Sequence, residues 1–267
     1  MMTTLKEEFQ RLRSANEPLP DEAQCPGCGY FDVTQPDVRR ILIDRDPSKL
    51  KLASAQCRCI AQEAKLRSQD ELRRSEAGLP TARFNTFDNF KATPGTEDMV
   101  KAAGRFLRRE GPRLLTLVGN TGCGKSHILE AIGRAALDLQ RTVRYDQAGY
   151  FLDRLRHTYS SDRYQSFGDE APEGSDVYEL MNWYAKRSIL IIDDIGYENA
   201  TPWVQEKLKT LFDNRMANGG WTATATNLNE EMMSEHLGPR IASRIFATSR
   251  EEGSAEVVVN TAGDFRK

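Results

Sequence analysis

The sequence predicts an α/β fold, a five-stranded parallel sheet flanked by helices, with a smaller helical region in front of it. Three observations predict it. Beyond Gly78, short aliphatic runs alternate with longer stretches of helical periodicity, the pattern of parallel strands joined by right-handed helical crossovers. A glycine-rich segment, Gly119 to Ser126, stands between a strand-like run and a helix-like run. Ile189-Leu190-Ile191-Ile192 closes on Asp193-Asp194, a strand buried on both faces that ends in carboxylates.

The elements follow in chain order. The N-terminus is charged from Lys6 onward and lacks the apolar core of a signal peptide. A charged helix, IAQEAKLRSQDELRRSEAG, runs up to Gly78. Gly78 and Pro80 punctuate the chain, so residues 1–78 are assigned to one domain and 79–267 to a second. Strands are expected at 113–118, 142–145, 189–192, 221–226 and 256–260. Helices are expected at 97–109, 125–140, 148–159, 177–186, 202–217 and 239–246. The polar, turn-rich stretch 160–176 reads as a mobile loop.

The 267 residues suit one large domain or two smaller ones, and 39% hydrophobic residues supply a core. Lys+Arg 37 against Asp+Glu 39 leaves a net charge of −2. No bulk positive field attracts nucleic acid, so any DNA contact is a local patch. No apolar run approaches the roughly 18 residues of a membrane span. A cytoplasmic protein without membrane contact is expected.

GNTGCGKS, Gly119 to Ser126, fits the phosphate-binding pattern G-x-x-x-x-G-K-[ST]. Its glycines let backbone N–H groups face a phosphate without Cβ clashes. Lys125 brings charge to the β- and γ-phosphates, Ser126 can ligate Mg²⁺, and the following helix aims its positive end at the same anion. The ATP-binding set is therefore Gly119, Asn120, Thr121, Gly122, Cys123, Gly124, Lys125, Ser126 and His127. Cys123 reads as a small loop filler, not a nucleophile. Asp193 would hold Mg²⁺ directly or through water. Asp194 would orient or deprotonate the attacking water, although aspartate has one methylene less reach than glutamate.

Four of the five cysteines lie in the N-terminal region. Cys25-Pro26-Gly27-Cys28-Gly29 is a knuckle-like turn, and Cys57-Arg58-Cys59 supplies two more thiols. Four thiolates suit a closed, structural Zn²⁺ site, and a region this poor in large apolar residues gains from a metal staple. The C-x-C half departs from the commoner C-x-x-C. Four unliganded cysteines are the alternative.

Taken in order, GNTGCGKSH, LIIDDIG, TATATN and LGPRIASRI resemble the AAA+ ATPases of the DnaC/DnaI helicase-loader group and the related IstB-type transposition ATPases. FNTFDNF, Phe84 to Phe90, resembles the segment before that core. The resemblance covers about 81–267. It implies an ATPase with a P-loop core and no full lid domain, because only residues 261–267 follow the last strand. It implies that Asn227 is the sensor that hydrogen-bonds the γ-phosphate or the attacking water. It implies that Arg244 is an arginine finger acting on a neighbouring subunit, with Arg240 one turn earlier on the same face. Lys125, Asp193, Asp194, Asn227 and Arg244 are then the catalytic set. Tyr159, Thr201 and Trp203 match DNA-contacting positions, and ordinary helix packing is the alternative for Tyr159 and Trp203. The expected function is loading of a hexameric replicative helicase onto single-stranded DNA by ATP-bound, self-associated subunits in a ring or spiral. The zinc region would contact the helicase. An IstB-type regulator acting on duplex DNA is the alternative.

Overall fold

The computed structural model describes residues 58–158, 176–246 and 255–263. The chain divides into two compact units, Met1–Glu71 and Leu72–Lys267. The helix α1 (Arg58–Ser75) carries the chain from the first unit into the second. The second unit continues with α2 (Glu97–Arg108), β1 (Leu114–Gly119), α3 (Lys125–Asp138), β2 (Val143–Gln147), α4 (Ala148–His157), α5 (Val177–Lys186) and β3 (Ile189–Asp193). It closes with α6 (Pro202–Ala217), β4 (Trp221–Thr226), α7 (Glu230–Leu237), α8 (Pro239–Phe246) and β5 (Ala255–Asn260). Gly78, the boundary expected from sequence, lies inside this second unit. There Ala77 is buried, and its carbonyl accepts a hydrogen bond from the Tyr145 amide at 2.7 Å.

All strand pairs are parallel, in the order β2-β3-β4-β1-β5. The pleat sends alternate residues to opposite faces. Leu115 and Leu117 of β1 join one core with Met99 and Phe106 of α2 and Ile128, Leu129 and Ile132 of α3. Leu114 and Val118 join the other, with Phe151, Tyr184, Leu208, Leu211 and Ile245 from α4, α5, α6 and α8. Helices thus cover both faces, which is why β3 reads as an unbroken aliphatic run. The buried Thr116 hydroxyl is satisfied by donating to the Ile245 carbonyl at 2.7 Å, which ties α8 to the sheet.

The caps set the helix starts. Asp176, Thr201 and Asn229 each accept a main-chain N–H from the first turn of α5, α6 and α7. The N-cap of α3 is Gly124 at φ 94°, with no side-chain cap. Its first-turn N–H groups therefore face the loop. Helix α7 is absent from the sequence expectation. It buries only Met233 and Leu237, one apolar pair that sets no clear period, and its N-cap Asn229 is also a turn-forming residue.

A fully buried arginine joins three elements behind the sheet. Arg215 of α6 donates to the carbonyls of Tyr184 and Ala185 (both 3.1 Å), to those of Arg187 and Trp221, and to the Thr222 hydroxyl at 3.1 Å. Burial pulls its pKa down to about 10. A Cβ on Gly220 would come within 2.6 Å of its guanidinium carbon.

Candidate nucleotide site

The phosphate loop leaves the tip of β1 and enters α3. Gly122 and Gly124 take φ 83° and 94°, values that only glycine adopts without strain. Cys123 is fully buried, as befits a filler. Its carbonyl accepts a hydrogen bond from the Asn260 amide at 2.8 Å, so the end of β5 clamps the loop. The Lys125 ammonium donates to the Gly119 carbonyl (2.7 Å), the Asn120 carbonyl (2.9 Å) and Asn227 Oδ1 (2.6 Å). Asn227 stands just beyond β4, and its amide nitrogen donates to Thr121 Oγ1 at 3.0 Å and to the Tyr197 hydroxyl.

Asp193 ends β3 and is almost wholly buried. Its Oδ2 accepts from the Tyr145 hydroxyl at 2.8 Å, and its Oδ1 accepts from the Asp194 amide at 2.9 Å. Burial raises its pKa against the opposing hydrogen bonds from Ser126 and Tyr145. Asp194 is exposed at φ 54°, a left-handed conformation that aspartate tolerates better than most residues with a Cβ. These groups line a cleft of about 960 Å³ with Thr121, Gly122, Gly124, Lys125, Ser126 and His127. Ser126 and Asp193 present the hard oxygen donors that Mg²⁺ prefers beside a phosphate, so the residues fit that ion.

The opposite wall is the segment before the core. Arg134 donates to the carbonyls of Pro80 (2.6 Å), Arg83 (2.8 Å) and Asn85 (3.2 Å), and its guanidinium lies 4.4 Å from the Phe84 ring centroid. His127 Nε2 sits 2.9 Å from the Thr86 carbonyl and 3.0 Å from Asn89 Oδ1, with Phe90 edge-on to its ring. Glu130, one turn beyond Ser126, is buried and its pKa is raised by that burial. His127 therefore holds the wall of the cleft.

The other expected residues lie elsewhere. Arg244 is on α8, outside the cleft lining, and its Nε is 2.7 Å from Asp213 Oδ1. Thr201 caps α6, and Trp203 packs half-buried against the core with the Arg156 guanidinium 5.3 Å from its ring. Tyr159, Cys25, Cys28 and Cys57 lie outside the described residues, as does the side chain of Cys59. No group of three or more His, Cys, Asp and Glu placed to hold a metal ion occurs among the described residues. Sequence reasoning missed Tyr145, Asn260, Tyr197 and Arg134, because each acts across a strand or helix neighbour remote in sequence.

Residues 82–247 match the family model of the bacterial DnaA ATPase domain. The chain belongs to this family. It is an AAA+ ATPase related to the DnaA and DnaC proteins. It is 26% identical over 202 residues to the uncharacterized protein YdaV of Escherichia coli K12, covering 73% of this chain and 76% of YdaV. It is 22% identical over 165 residues to the replicative helicase loader DnaC of Buchnera aphidicola, covering 60% of this chain and 62% of that one. It is 26% identical over 130 residues to the replication initiator DnaA of Aliarcobacter butzleri, covering 48% of this chain and 27% of that one. The chain thus spans less than two thirds of the DnaC and DnaA proteins it resembles. Among solved structures, DnaA bound to AMPPCP and single-stranded DNA superposes with a TM-score of 0.56 at 18% identity, covering 69% of this chain and 51% of that one. The DnaC helicase loader superposes at 0.51 and 18%, covering 66% and 97%. The shared fold is the AAA+ core with its five-stranded parallel sheet. No described helix is long and apolar enough to cross a membrane.

Proposed function

We propose that the chain is an ATP-driven loader of a hexameric replicative helicase, working as a self-associated assembly on single-stranded DNA. The supporting observation is the division of its ATPase parts. Lys125, Ser126, Asp193, Asp194 and Asn227 converge on one cleft, whereas Arg244 stands outside that cleft on α8. In this reading an arginine so placed serves a neighbour's nucleotide, which couples hydrolysis to assembly. In the reaction Lys125 neutralises the β- and γ-phosphates, Asn227 donates its amide to the γ-phosphate or the attacking water, and Asp194 takes the proton from that water. Ser126 and Asp193 would hold Mg²⁺, which when bound would supply positive charge beside the phosphates. Arg244 of the next copy stabilises the transferring group.

The DNA surface in this reading is formed by Tyr159, Thr201 and Trp203. It is supported by the approach of Arg156 to Trp203, which brings a positive charge and a half-buried aromatic ring together at the surface. Cys25, Cys28, Cys57 and Cys59 bind structural zinc in the region that meets the helicase. The test is capture of a hexameric replicative helicase by tagged protein with and without ATP, together with ATPase rates on single-stranded and duplex DNA. ATP-dependent capture and single-strand stimulation are expected. Stimulation by duplex alone, with no helicase captured, would replace this reading with the transposition-regulator one.

A further inference from the structure

Tyr145 carries an unexplained hydroxyl. Its ring belongs to the apolar core between α3 and the sheet, where phenylalanine would pack as well. A buried phenol needs a polar partner, and this one has chosen the magnesium carboxylate. Parallel pairing sets Tyr145 opposite Ile191 and Gln147 opposite Asp193. The ring therefore leans along the strand to place its hydroxyl 2.8 Å from Asp193 Oδ2.

We propose that Tyr145 is a positioning residue for hydrolysis: its phenol fixes the rotation of the Asp193 carboxylate so that, with Ser126, it receives magnesium. Two donors act on different oxygens, Tyr145 on Oδ2 and the Asp194 amide on Oδ1, so the carboxylate cannot turn without losing one of them. Tyr145 is itself held. Its amide donates to the Ala77 carbonyl at 2.7 Å. The next residue, Asp146, is locked by a bidentate pair with fully buried Arg144 at 2.8 and 2.9 Å. The main-chain strap at Ala77 thus reaches the metal carboxylate through one residue. The inference rests on the ATPase reaction and not on the helicase.

The experiment compares full-length Tyr145→Phe with Tyr184→Phe. The second variant removes a buried phenol bond of similar kind, Tyr184 to Asp146 Oδ2 at 2.5 Å, whose acceptor is not a metal ligand. Hydrolysis is followed against Mg²⁺ concentration, and binding of a fluorescent ATP analogue is measured with Mg²⁺ and with EDTA. For Tyr145→Phe, kcat falls about ten-fold and half-saturation by Mg²⁺ rises about five-fold, the scale of one hydrogen bond to a charged group. KM for ATP and binding in EDTA stay at parental values. Tyr184→Phe keeps the parental Mg²⁺ dependence. Parental Mg²⁺ dependence in Tyr145→Phe, or an equal shift in Tyr184→Phe, overturns the proposal. Failure of the parental protein to capture a helicase, with the Mg²⁺ result intact, would count against the loader reading alone.

Discussion

Replacing Arg244 by alanine separates two roles that one side chain could have. As a structural group it is an ion pair with Asp213, with side chains 41% and 32% exposed. Such pairs contribute about 0.2–1 kcal/mol. Asp213 also keeps Lys209, 2.8 Å from its other oxygen. Removing Arg244 should therefore cost less than about 1 kcal/mol, or at most ~4 °C in Tm for a domain of this size. As a finger it should be worth about 10³ in kcat, or ~4 kcal/mol. The assay is steady-state phosphate release beside a thermal melt. Arg244→Ala should melt like the parent and hydrolyse ATP about a thousand-fold more slowly. Mixing it in equal amounts with Lys125→Ala, inactive in its own site but supplying an intact finger, should restore activity at about a quarter of the interfaces formed by random association. Two results would refute the reasoning: parental kcat in Arg244→Ala, or a mixture no more active than its parts.

Arg215 and Gly220 should be coupled. Gly220→Ala should destabilise the parent by roughly 1–3 kcal/mol through its clash with the guanidinium, and by clearly less in an Arg215→Met background, as read from urea midpoints. Asp146→Asn strands the buried Arg144 charge and should cost about 3–5 kcal/mol, measured the same way. Burial raises the Glu130 carboxyl pKa, so its ionised form is disfavoured in the fold, and its contribution to stability falls as pH rises through that raised value. Glu130→Gln should then gain stability over the parent on going from about pH 4 to about pH 8, as paired thermal melts would show. Trp203→Ala should weaken single-stranded DNA binding in a fluorescence-anisotropy titration by roughly 1–3 kcal/mol while the ATPase without DNA stays near parental; unchanged affinity would retire that surface.

Much of the fold was legible because its signals are local. The aliphatic run at Ile189 and the glycines of the phosphate loop each dictate structure within a few residues. The strand starting at Trp221 and the helix starting at Pro202 begin where the sequence places them. Helix ends were less legible. Arg109 and Gln140 turn to left-handed φ of 60° and 59°, which stops α2 and α3 earlier than their periodicity implies, and neither is a glycine or asparagine. Within the cleft, Lys125, Ser126 and Asp193 were readable from motifs, and Asn227 from the family resemblance alone. Tyr145 and Asn260 were not, because their partners follow from β2 lying beside β3 and β5 beside β1. Nothing in VRYDQ or VVVN announces either neighbour.

The position of β1 bears on synthesis of the chain. Both of its lateral neighbours, β4 and β5, are made long after it, and the amide that clamps the loop comes from the last residue of β5. A ribosome-tethered fragment that stops before residue 255 would lack one side of the central strand and that clamp, leaving the ATP cradle half supported. Such distant pairings slow the search for the native state. The emerging polypeptide would therefore lack a fully supported ATP cradle until β5 has left the ribosome.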